Sequence, residues 1–179
     1  MGLMLFAACG NKDKAPLIDS VSAFIQDNEQ IVAFGSVDYN SILEKAEYKS
    51  IPKLSEILET ELKRMGNSID IKKPIYVALE GPFDANGNPK AVYAFFDLVN
   101  ADSLAERLSS SGLFIETDGK MKYSADGDLA IGAKGKLAIL ITKKEKYDGK
   151  IALQEAFKKA EDTKKHGIIY DLLKKEGDV

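Results

Sequence analysis

Apolar and polar positions along this chain change their period several times, and each change marks an element. Val21, Phe24 and Ile25 fall at helical spacing and predict a short amphipathic helix over residues 19–27. The run IVAFGSV at 31–37 is β-branched and aromatic, which suits a pleated, half-buried strand. Asp38 stands where an N-cap belongs, ahead of a helix through Ala46. A second helix opens at Ser50-Ile51-Pro52 and ends at Gly66, with Leu54, Ile57, Leu58, Leu62 and Met65 forming one apolar stripe for packing on a sheet.

Two strong strands follow, at 74–80 (PIYVALE) and 90–98 (KAVYAFFDL), joined by a turn-rich tip at 81–89. In the second strand Val92, Ala94 and Phe96 alternate with Tyr93 and Phe95, so both faces are apolar and the strand belongs inside a sheet. Asn100 caps a helix carrying Leu104, Ala105 and Leu108, which Gly112 ends. Short strands at 113–117, 120–124, 129–133 and 136–142 are separated by turns at Asp118-Gly119, Ala125-Asp126-Gly127-Asp128 and Lys134-Gly135, the pattern of an antiparallel meander. Residues 151–175 read as lysine-rich helix with a break at His166-Gly167. The order predicts an α+β domain over 18–150, a mainly antiparallel sheet with helices packed on one face, followed by a helical segment at 151–179.

Composition narrows the functional classes. A chain of 179 residues, 45% hydrophobic and 30% charged, is long enough for one ordinary core. The net charge of -3, with lysines scattered among acids, offers no basic face for a phosphate backbone, so nucleic acid is not an expected partner. No run of about 18 apolar residues follows the first ten positions. Membrane attachment would have to come from the N-terminus.

That terminus has its own pattern. Gly2 to Ala8 is apolar, the only cysteine follows, and GNKDKAP then turns abruptly polar. Phe6-Ala7-Ala8-Cys9 resembles the lipobox of a bacterial lipoprotein, with residues 1–8 as signal peptide and 9–17 as tether. The resemblance implies a thioether-linked diacylglyceryl group on Cys9, with fatty acid of the palmitate type, and an outer-membrane address on its periplasmic or surface face. The apolar segment is short and lacks a basic start, which leads us to expect sequence upstream of Met1. Lys12-Asp13 resembles the lysine-plus-acid signal of surface lipoproteins.

The cysteine-tethered start, the strand at 31–37 leading into DYNSILEKA, and the hairpin, helix and meander from Lys73 to Thr142 together resemble Bacteroidetes cell-envelope lipoproteins of the domain-of-unknown-function type. Longer members of that group carry more than one module. The similarity of the ending KEGDV to the approach DNEQIV leads us to expect a second module beyond Val179.

Candidate chemistry is sparse. Asp84, Asn86 and Asn88 have the alternating oxygens of a calcium loop, but Pro89 and Phe95 stand where that loop needs its glycine and its bidentate glutamate, so the stretch reads as a hairpin tip and no metal is expected. A lone His166 in a lysine-rich helix supports neither a zinc site nor a triad. Glu80, Asp97 and Glu116 are the acids that a carboxylate hydrolase would bring together. No phosphate loop is present and no cofactor is expected. The expectation is therefore a lipid-anchored, non-enzymatic binding or structural domain with a protein or glycan partner, and a carboxylate hydrolase is the alternative.

Overall fold

The computed structural model describes residues 17–38, 45, 60, 63–162 and 167–176. Phe6, Ala7, Ala8, Cys9 and His166 lie outside them, as do the two helices expected between Asp38 and Gly66, apart from helical residues at 45, 60 and 63–65.

Seven strands form one sheet: β1 (Ile31–Val37), β2 (Ile75–Glu80), β3 (Ala91–Asp97), β4 (Glu116–Asp118), β5 (Met121–Asp126), β6 (Leu129–Lys134) and β7 (Leu137–Lys143). Their order is β1-β2-β3-β7-β6-β5-β4, with every pair antiparallel. The local hairpin β2-β3 and the local meander β4 to β7 thus meet along one long-range ladder, β3 on β7. As its two apolar faces require, β3 is interior: Ala91, Tyr93, Phe95 and Asp97 are buried on one face, and Val92, Ala94 and Phe96 are half-buried on the other.

The first of these faces carries the main core. Helices α1 (Leu17–Gln26), α3 (Gly149–Glu161) and α4 (Ile168–Glu176) lay Val21, Phe24, Leu153, Phe157 and Leu173 across it. Phe24 sits at the centre, its ring 4.8 Å from that of Tyr93 and 5.0 Å from that of Phe95, both tilted in the arrangement that aromatic quadrupoles favour. Each fully buried side chain of this size stabilises the fold by about 1.5–3 kcal/mol. The helices beyond residue 150 therefore belong to the same core as the strands.

One helix departs from the single-layer expectation. Helix α2 (Ala101–Ser110) packs Leu104 and Leu108 against Phe96, Ala133 and Ala138 on the opposite face. The first face is already taken by three helices, and this second patch is the apolar surface nearest the end of β3. An ion pair from Lys122 of β5 to Asp102 holds the helix there.

The first and third meander turns are one residue later than expected, and the second is two residues long in place of four. Each uses two residues, Gly119-Lys120, Gly127-Asp128 and Gly135-Lys136, because glycine takes the first turn position at φ near +60°. The two sheet edges differ. β4 is three residues long and carries Glu116 and Asp118, whereas β1 is seven residues long, carries no charge, and is interrupted by a bulge at Val32.

Candidate functional site at the β2–β3 tip

The connection from β2 to β3 is unlike the other hairpin turns. It runs ten residues, from Gly81 to Lys90, where two suffice elsewhere in the sheet. Length in a loop usually costs order, yet this loop is closed upon itself. Asp84 N–H donates to the carbonyl of Asn88 at 2.9 Å, and Gly87 N–H donates to the carbonyl of Asp84 at 2.9 Å. The Asp84 carboxylate accepts from the backbone N–H groups of Asn86 (2.9 Å) and Asn88 (2.8 Å) and from the Asn88 side-chain amide. Lys144, at the end of β7, completes the set with an ion pair to the same carboxylate. That ammonium and the loop's own N–H groups hold Asp84 well below the usual carboxylate range.

Asp84, Asn86 and Asn88 therefore form a turn network in which the asparagines donate to the aspartate. Among the described residues no group of three His, Cys, Asp or Glu side chains could hold a metal ion.

The base of the tip is equally fixed. Gly81 N–H donates to the carbonyl of Gln30 at 2.9 Å, and Lys90 N–H to the carbonyl of Glu80 at 2.9 Å. The Gly81-Pro82 peptide is cis. A side chain at position 81 would meet Val32 Cγ1 at 2.7 Å, so the bulge of β1 packs directly over the glycine. Beneath the tip Glu80 is buried. It accepts from the Tyr93 hydroxyl at 2.7 Å and has the Lys90 ammonium 3.7 Å away. Burial, reinforced by this carboxylate, pushes the Tyr93 phenol far above its ordinary value. Lys143 lies over the rings of Tyr93 and Tyr147, at 6.0 and 5.5 Å.

On this framework Phe83 is displayed to solvent at 46% exposure, beside Val32 at 56%. Pro82, Phe83 and Pro89 line a groove of about 350 Å³ together with Lys90, Lys144, Asp84, Asn88 and Glu145. That volume is at the small end of the range for ligand sites.

The three acids proposed for hydrolysis are not brought together. Glu80 pairs in register with Ala91, and Asp97 lies six residues further along β3, roughly 20 Å away at strand spacing. Glu116 is on β4, four strand spacings from β3, or roughly 19 Å. Each has its own partner. Asp97 pairs with Lys73 and holds that ammonium above its usual value, chiefly by accepting its hydrogen bond. Glu116 accepts from the Tyr123 hydroxyl at 2.8 Å, which pushes that phenol up to about 12.

Sequence reasoning read the tip as a turn and overlooked Phe83, Lys90 and Lys144 as a set. The available signal was an aromatic residue between Pro82 and Pro89, in a segment much longer than chain reversal needs. No helix among the described residues is long and apolar enough to cross a membrane. No protein-family model, curated protein or solved structure matches this chain.

Proposed function

We propose that this chain is a lipid-anchored cell-envelope protein whose folded domain binds a partner at the β2–β3 tip and carries out no chemistry of its own. The anchor rests on the apolar-to-polar step at Phe6-Ala7-Ala8-Cys9, with an outer-membrane address. The observation that carries the binding reading is the rigid display of Phe83: an apolar ring held in water by a loop whose own hydrogen bonds fix its shape. Such a loop loses little conformational freedom when a partner docks, and surface aromatics of this kind are the usual energetic centres of recognition. The alternative, a lipid-anchored hydrolase, needs carboxylates that face one another, and no observation favours it over binding.

Two measurements test the proposal. Cells fed an alkyne fatty acid label the parent chain, and the Cys9→Ala chain stays unlabelled; label on Cys9→Ala would refute the anchor. A photo-crosslinking residue at position 83 joins the domain to envelope material, whereas the same residue at the exposed position 114, far along the sheet, does not. Equal crosslinking at both positions, or none at 83, would refute the tip as the binding face.

A further inference from the structure

The chemistry of the groove narrows what it can hold. Its lining includes one aromatic and two prolines, Phe83 with Pro82 and Pro89. It also includes both donors and acceptors: the ammonium groups of Lys90 and Lys144, the carboxylates of Asp84 and Glu145, and the amide of Asn88. Those four ionic groups are two cations and two anions, and Glu80 beneath adds a third carboxylate, so the groove has no excess positive charge to select an anion. Lys90 and Lys144 also stand side by side, since Lys144 N–H donates to the carbonyl of Lys90 at 3.4 Å where the β3-β7 ladder ends. Two like charges across adjacent strands repel, and here each is offset by a different carboxylate, Glu80 for Lys90 and Asp84 for Lys144. Among the described residues Glu145 has no hydrogen bond or ion pair.

A ligand that matches this arrangement has a flat C–H face for the electron-rich face of an aromatic ring, and a perimeter of groups that both donate and accept. A small apolar molecule would cover these charged groups without offering them hydrogen bonds, and a simple ion would leave Phe83 uncovered. An uncharged sugar ring supplies both. We infer that the groove at the β2–β3 tip is a carbohydrate subsite for an uncharged hexose or N-acetylhexosamine unit, with Phe83 as the stacking platform and Lys144, Asn88 and Glu145 as the hydroxyl-binding groups. The closure of the tip by Asp84 prepares the site before the sugar arrives. It holds Phe83 and Lys144 in one rigid unit although they are distant in sequence.

This inference rests on the tip being a binding face and names what it binds. The test is titration of the isotope-labelled full chain, followed by amide NMR, with four uncharged probes: maltotriose, cellotriose, chitotriose and mannotriose at millimolar concentration. At least one probe is expected to shift the amides of 81–90 and 144–145 saturably and to leave those around Phe114 unmoved. Phe83→Ala is expected to weaken that binding about tenfold or more, as loss of a buried aromatic contact does, while Phe83→Tyr retains it. Because Phe83 is exposed, an unchanged spectrum outside the tip confirms that both variants fold. Absence of tip shifts with all four probes overturns the inference, as does binding by Phe83→Ala within twofold of the parent. If crosslinking from position 83 captures a protein while all four sugars fail, the binding face stands and the carbohydrate assignment falls.

Discussion

Gly149 sets two physical effects against each other in a single substitution. It is the first residue of α3, directly after the cap Asp148, whose side chain accepts from Ile151 N–H at 3.0 Å. Helix propensity alone says that Gly149→Ala stabilises the chain, by at most about 1 kcal/mol and by less at a helix end than in its interior. Packing says the reverse. A Cβ at this position would lie 2.6 Å from the Ala125 Cβ and 3.0 Å from the Ala130 Cβ, both short and rigid, whereas carbon atoms prefer about 3.5–4.0 Å. The start of α3 or the strands β5 and β6 must therefore move by up to about an ångström, and such overpacking costs typically 1–3 kcal/mol. Net destabilisation of about 1–2 kcal/mol is expected, which for a chain of this size lowers the melting temperature by about 2–8 °C. Chemical denaturation measures it, and a double-mutant cycle identifies the cause. Ala125→Gly alone costs about 0.5–1 kcal/mol as a strand glycine, but combined with Gly149→Ala it removes the closer contact and returns part of the loss. A Gly149→Ala chain as stable as the parent, or strict additivity in the cycle, would refute the reasoning.

The remaining predictions concern the buried tyrosines. Tyr93→Phe removes the hydroxyl that donates to buried Glu80 and leaves that oxygen without its donor, so a loss of about 1–3 kcal/mol is expected in urea denaturation; an unchanged midpoint would show that Lys90 or water substitutes freely. Stability should also fall as pH rises from about 10, because Tyr93 and Tyr123 keep their protons in the fold while their unfolded counterparts, at the ordinary value of 10.0, release them. For a raised group the unfolded state binds fewer protons above that value, so the slope is negative. The Tyr123 contribution is lost by about pH 12. Thermal melts across this range, with Tyr93→Phe as the comparison, should show a shallower decline in the variant.

Much of the sheet was legible because its signals are local. The alternation in β3 announced an interior strand, and glycines at 119, 127 and 135 announced the turns to within two residues. Where a helix end competed with a strand start, pattern failed. A strand was expected from Leu113, but Leu113 N–H donates to the carbonyl of Leu108 and Gly112 N–H to that of Ser109, with Gly112 at φ +88°. This closing motif of α2 consumes Leu113 and delays β4 to Glu116. The β3-β7 ladder and the pairing of Asp84 with Lys144 were not legible, since both join residues tens of positions apart. Nothing in the run Lys143-Lys144-Glu145-Lys146 distinguishes one lysine from its neighbours until β7 delivers Lys144 to the tip. The two-sided placement of helices was hidden for the same reason: an amphipathic stripe shows that a helix has a buried side, not which face of the sheet receives it.

The unequal edges of the sheet bear on how this chain can assemble. An added strand needs a run of open backbone free of charge repulsion, and among the described residues β1 is the longer edge, seven residues without charge though bulged at Val32, while β4 has three with two acids. Growth by strand addition is therefore one-sided. Two copies that met along β1 would use up the available edge on each and close as a symmetric pair, and a third copy would find only the acidic stub of β4. Among the described residues the longer, uncharged edge thus favours the pairing of two copies over the repeating contact that a fibre requires.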